Sequence, residues 1–227
     1  MQPFTLSQEF FNQTPTDLAV ALLGKVLRHR VESSTHGPMW LSARIIETEA
    51  YYLTERGSHS SLGYTEKRKA MFMAPGTIYM YYARGKDSLN FSAMGEGNGV
   101  LVKSGYPLVD DLSTRHSLRL MQQLNPGSKG SRTPEQLCCG QTLLCRSLNL
   151  KVTDWNQQEP DTNRFRVDDT GYRPEAYVQC QRIGIPEGRD EHLPYRFIDL
   201  EKIQYCTSNP LSKRNWREGV DYTIHRL

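Results

Sequence analysis

Two carboxylates stand two residues apart in the segment ARIIETEAY, residues 43–51. If this segment is extended, alternate side chains share a face, so Ile45, Glu47, Glu49 and Tyr51 point one way. Paired carboxylates among apolar neighbours are raised toward the pKa range useful for acid/base chemistry, by like charge and by partial burial. The same pattern also suits a solvated strand face. The groups downstream add weight to the first reading: the His59-Ser60 loop, the tyrosines at 79, 81 and 82, and Asn90. An enzyme acting on a nucleobase needs flat surfaces to sandwich the ring, a short polar group to test its edge and a base to activate water. Tyr and His can stack, Asn can hydrogen-bond and Glu can take a proton. Singly, Tyr79 and Tyr81 equally suit cross-strand packing, His59 an exposed loop, and Asn90 a strand edge.

The elements that must position these groups are legible along the chain. Thr14-Pro15-Thr16-Asp17 opens a helix, with Thr14 as N-cap and Gly24 as the stop. Residues 25–32 and 41–51 read as strands joined by the polar stretch SSTHGP. Thr65 precedes a basic helical stretch, EKRKAMF. Pro75-Gly76 turns the chain into TIYMYYA (77–83), which is β-branched and aromatic and therefore strand-like. Short strands are expected at 88–93 and 100–104, helices at 109–124 and 134–149, and strands again at 176–183 and 195–200. Strands, then helices, then strands favour one mixed α+β domain over 1–227 rather than a regular βαβ alternation.

Composition narrows the function classes. The 227 residues carry 28 Lys+Arg against 25 Asp+Glu, a net charge of +3. That falls short of a dedicated nucleic-acid binder, so any basic face must come from clustering. A mean hydropathy of −0.61 and a longest apolar run of only Leu18 to Leu23 exclude an integral membrane protein. The N-terminal residues have neither a basic n-region nor an apolar h-region, so no secretory signal is expected. Five cysteines, an odd number with no CxxC pair, point to reduced thiols in the cytoplasm. No histidine pair has metal-ligand spacing, so no metal is expected. The glycine-rich GEGNG (95–99) lacks the GK[ST] ending of a P-loop and reads as a strand turn.

Taken together, the blocks resemble a known family. ARIIETEAY, then His59-Ser60, MFMAPGTIYMY (71–81), LNFS (89–92) and GEGNGVLVKS (95–104) are similar to the single-domain, vertebrate-and-bacterial alkyladenine (3-methyladenine) DNA glycosylases. LAVALLGKVL (18–27), LCCGQTLLCRSL (137–148), RIGI (182–185) and YRF (195–197) extend the similarity over roughly 14–200. The resemblance implies a curved antiparallel β-sheet with surrounding helices. It places Glu49 as the general base that activates water and Tyr51 as one wall of the base pocket. His59 and Tyr81 form the other wall, and Asn90 clashes with the 2-amino group of normal guanine. It implies no catalytic role for Glu47, which reads as structural or as a neighbouring charge. Two positions depart from the pattern. Arg84, followed by Gly85, stands where the best-known members carry a wedging Tyr, and the following loop is one residue shorter. Lys103 stands where the family often has an Arg near the catalytic water. Both are expected to bind DNA.

The activity so implied is base excision repair. An alkylated purine, with possible extension to deaminated or etheno bases, is flipped out of duplex DNA and its N-glycosidic bond is hydrolysed, leaving an abasic site. No cofactor is implied. The expected partner is double-stranded DNA containing damaged purines, acted on by a cytoplasmic, nucleoid-associated monomer. Further phosphate-facing cations are expected among Arg28, Arg30, residues 67–69, Lys129, Arg132, Lys213, Arg214 and Arg217. Three other readings stay open. One is a lesion reader without catalysis. Another is a sugar or nucleoside hydrolase using Glu47 and Glu49, although two carboxylates on one strand face cannot flank a bond. The third is a lyase that forms a Schiff base through Lys103.

Overall fold

A computed structural model describes residues 4–33, 36–128 and 130–227. In chain order the elements are β1 (Phe4–Thr5), α1 (Pro15–Leu22), β2 (Val26–Ser33), β3 (Gly37–Tyr51), β4 (Ile78–Ala83), β5 (Lys86–Ser92) and β6 (Gly99–Pro107). They continue with α2 (Arg115–Leu124), α3 (Gln141–Ser147), α4 (Val152–Trp155), β7 (Phe165–Asp169), β8 (Ala176–Cys180), β9 (Arg196–Asp199) and β10 (Tyr222–Arg226). Every strand pairing is antiparallel, and the main path runs β1-β7-β2-β3-β6-β5-β4. A branch, β9-β8-β10, leaves β3. The expected mixed α+β class holds, with an open antiparallel sheet.

β3 is the axis of the molecule. Its first half pairs with β2 and its second half with β9, while β6 runs along its other edge. α1 packs against this region: the Thr14 hydroxyl caps it by accepting from Asp17 N, and Gly24 follows it with φ +83. Leu18, Ala19 and Leu22 meet Leu41, Ala43, Ala50, Val100 and Val102 in a fully buried apolar cluster. No helix among the described residues is long and apolar enough to cross a membrane.

The structure differs from the expected elements in several places. The basic stretch after Thr65 forms only a single 3-10 turn, Lys69–Phe72. The helix expected at 109–124 starts at Arg115, capped by the Thr114 hydroxyl. The one expected at 134–149 is broken at Gly140, whose φ of +104 no helix accommodates. Arg28, expected to face phosphate, is wholly buried: its Nε donates to Asp168 at 2.7 Å and its Nη2 to Asp110 at 2.5 Å. It holds β2 to β7 and to the segment leading into α2. Lys129 lies outside the described residues.

His29 makes the core sensitive to acid. Its Nδ1 lies 2.7 Å from the Leu148 carbonyl, and the Trp155 indole nitrogen lies 3.3 Å from its Nε2. Carbonyls only accept and indole N–H only donates, so the ring is neutral with its proton on Nδ1. Burial is the main reason its pKa falls below the ordinary 6.5. The unfolded chain therefore takes up this proton at higher pH than the folded one, and stability declines as pH drops through about 6.5. Urea midpoints at pH 7.5 and 5.5 test this. The acid-induced drop shrinks in His29→Gln; an undiminished drop would assign it elsewhere.

Candidate active site

The site is built on an irregularity between β3 and β6. Ile45 lies opposite Gly105, Glu47 opposite Ser104 and Thr48 opposite Val102, so Ile46 and Lys103 each lack a cross-strand partner. These are two compensating bulges, which twist the strands and re-aim the side chains beside them. The face of β3 changes parity here. Leu41, Ala43 and Ile45 enter the core cluster before the bulge, and Ala50 enters it afterwards. Thr48 points the same way, donating to the Ala19 carbonyl at 2.8 Å. Ile45 therefore does not share a face with Glu47, Glu49 and Tyr51, contrary to strict alternation.

Both glutamates are wholly buried, in opposite circumstances. Glu47 is enclosed by protein donors: Arg196 Nε at 2.7 Å, Ser104 Oγ at 2.5 Å, Thr207 N at 2.8 Å and Thr207 Oγ1 at 3.0 Å. Glu49 is held by three donors. Tyr51 Oη donates to Oε2 at 2.8 Å and Ile183 N to Oε1 at 3.2 Å, while Lys103 Nζ stands 3.3 Å from each oxygen. Tyr51, Lys103 and Ile183 all line one cleft of about 800 Å³; Glu49 itself has no exposed surface and lies behind these three, to which it is bonded.

Aromatic rings line the same cleft. Tyr79 and Tyr81, two apart on β4, stack with centroids 5.3 Å apart, and the His59 ring meets Tyr81 at 4.2 Å. Asn90 lies opposite Tyr79 on β5 and donates from Nδ2 to its carbonyl at 3.0 Å, which fixes the amide plane. Arg84 and Gly85 form the β4–β5 turn with φ +51 and +77, the left-handed pair of a tight hairpin. The Arg84 guanidinium extends toward Gly184 on the far lip, with Nη2 3.8 Å from where a Cβ there would sit.

The rings are neutral. Burial, and then the Glu49 charge, push the Tyr51 hydroxyl well above its ordinary pKa, so it remains a donor. Burial and Tyr81 push Tyr79 up to about 12. Burial, then Arg68 and Arg189, lower His59. A carboxylate with oriented donors, beside flat neutral faces and one fixed amide, can accept a proton from water next to a stacked heteroaromatic ring.

Residues 9–202 match the model of the methylpurine-DNA glycosylase family. The chain belongs to this family. It is 56% identical over 220 residues to a protein of Pseudomonas aeruginosa strain LESB58 provisionally named 3-methyladenine DNA glycosylase, covering 96% of this chain and 90% of the relative. A similarly named Pseudomonas fluorescens protein is 57% identical over 224 residues, covering 98% and 94%. The DNA-3-methyladenine glycosylase of Homo sapiens is 38% identical over 198 residues, covering 85% of this chain and 64% of the human protein. The chain is accordingly a monofunctional glycosylase of the hydrolase class.

In this methylpurine-DNA glycosylase, Tyr51, His59, Tyr81, Asn90, Arg84 and Lys103 line the cleft, while Glu49 is buried behind Tyr51 and Lys103. Of the wider set of cations, Arg84 and Lys103 line it; Arg30, Arg132, Lys213, Arg214 and Arg217 do not. Sequence reasoning assigned no role to Lys86, Arg189 or the Ile183–Pro186 loop, all of which line the cleft. RIGI was a visible block of similarity, but its contact with Glu49 has no local signature. Thr207, beyond the matched residues, ties the C-terminal segment to Glu47, and β10 adds that segment to the sheet.

Proposed function

We propose that this glycosylase removes alkylated purines from duplex DNA by hydrolysis in the Glu49 cleft. The observation that carries the reading is the Glu49 carboxylate, oriented by Tyr51, Ile183 N–H and Lys103 directly behind the lining of an aromatic cleft. The target nucleotide leaves the stack and its purine enters between Tyr51 and the His59–Tyr81 wall. Alkylation at N3 or N7 makes the ring cationic, which improves both its stacking on electron-rich faces and its quality as a leaving group. Water attacks C1′ and gives its proton to Glu49. The glycosidic electron pair leaves with the base, and the hydroxyl stays on the sugar. The carboxylate charge also stabilises positive charge developing on the sugar. Arg84 and Lys86 at the exposed hairpin tip face phosphate, and Lys103, paired with Glu49, links the anionic substrate to the carboxylate behind it.

The cleft is complete within one chain, which supports a monomer. A cytoplasmic setting beside the nucleoid goes with the proposed duplex-DNA substrate. The two-carboxylate hydrolase is disfavoured because Glu47 is closed off by Arg196, Ser104 and Thr207.

Duplexes that differ only in one 3- or 7-alkylated purine test the proposal. Free base is released and an abasic site remains in an unbroken strand. Tight binding without release would instead indicate a lesion reader. In the same assay Asn90→Ala raises release of unmodified guanine by about 10–100-fold relative to the alkylated base, because a fixed amide that rejects its 2-amino group is gone. An unchanged ratio would remove Asn90 from selection.

A further inference from the structure

Arg182 does not line the cleft, yet it is built against the wall that does. Its Nη1 donates to the Ala50 carbonyl at 2.8 Å and to Glu55 Oε1 at 2.8 Å, and its Nη2 donates to Glu55 Oε2. Glu55 also accepts from Tyr52 N at 2.6 Å, and both side chains are buried. The guanidinium carbon lies 4.5 Å over the Tyr51 ring and 5.5 Å over Tyr195. Nε is buried without a partner, so the guanidinium plane follows Glu55 and the rings rather than a full set of hydrogen bonds. Tyr51 is thus held on one face by a cation while its hydroxyl donates to Glu49 on the cleft side.

We infer that Arg182 is a positioning residue that acts through Tyr51, setting both the plane of the aromatic wall and the direction of the hydrogen bond to Glu49. Three features support this. Ala50, whose carbonyl it grips, lies between Glu49 and Tyr51 in the chain. A planar fork anchored at two points fixes orientation in a way that a point charge does not. A cation over a ring face also favours the flat contact over other ring rotations. The inference rests on the proposed reading of the cleft.

The test is a double-mutant cycle on single-turnover base release from a duplex carrying one alkylated purine. Arg182→Met and Glu55→Gln are made together, so that no buried charge is stranded and Gln still accepts from Tyr52 N–H. The pair slows release by about 10–100-fold at saturating protein, the cost of a misplaced contact, while the melting temperature stays close to wild type. In a Tyr51→Ala background the same pair costs less than about twofold, because the residue it acts through is already absent. Arg182→Lys keeps the cation but loses the fork. It gives an intermediate loss and carries the cycle if the pair fails to fold. Wild-type rates in these variants would overturn the inference, as would losses that multiply with Tyr51→Ala. Absence of base release by the wild-type protein would instead overturn the underlying reading of the cleft.

Discussion

Replacing Glu49 by Gln lowers single-turnover base release by about 10²–10⁴-fold, the contribution expected of a positioned general base. Affinity for lesion-bearing duplex stays within about threefold, because the walls and rim cations that grip the nucleotide are untouched. Gln has nearly the same shape. Tyr51 Oη and Ile183 N bond opposite oxygens of Glu49, at 2.8 and 3.2 Å, so the one amide oxygen of Gln keeps the bond from Ile183 N and its NH2 donates to a Tyr51 hydroxyl turned to accept. What disappears is the ability to take a proton and the negative charge beside Lys103 and the reacting sugar. Glu49→Asp keeps the charge but shortens the reach, so it falls between wild type and Gln. Full activity in Glu49→Gln would exclude this residue as the base.

Glu47→Ala fails for a different reason. It leaves the fully buried Arg196 without its carboxylate, at a cost of about 3–5 kcal/mol, or roughly 6–20 °C in melting temperature for a chain of this size. Desolvation lowers the Arg196 pKa, and Glu47 with Cys180 and Cys206 raises it overall; with Glu47 gone, the guanidinium keeps its proton because arginine does not deprotonate in proteins. Ser104 Oγ and the N–H and Oγ1 of Thr207 lose their shared acceptor as well. Chemical denaturation of Glu47→Ala against the Glu47→Met/Arg196→Met pair checks this. The pair recovers most of the lost stability, since no buried charge remains. Equal loss in both would mean that packing, rather than the stranded charge, sets the cost. Two glutamates two residues apart, both wholly buried, thus differ in consequence because one is bonded into the fold and the other sits behind a cleft.

Much of this arrangement was legible in the residues. The cap at Thr14, the aromatic run of β4 and the turn before it are local signals, and each element forms where expected. The bulge at Ile46 is not periodic, so alternation placed Ile45 on the wrong face. Arg28 looked like a surface cation because its partners, Asp110 and Asp168, lie far along the chain. β1, β7 and β10 are short and owe their existence to distant pairing, as in Phe4 with Asp169. Tyr51 and Tyr81 are ordinary strand residues, and they, Glu49 and Asn90 stood out only together, in the ordered blocks on β3, β4 and β5 that resemble the family. Arg182 did not, since an arginine stacked under Tyr51 has no pattern of its own until the chain folds.

The central claim is that a purine turned out of the duplex lies between Tyr51 and the His59–Tyr81 wall, with water held by the group at position 49. A structure of the Glu49→Gln protein bound to a duplex with one alkylated purine tests it most directly. The account predicts the damaged nucleotide inside the cleft, its ring parallel to Tyr51, Asn90 at its edge, and a water between residue 49 and C1′. A damaged base still stacked in the helix, or bound elsewhere with the cleft empty, would contradict it.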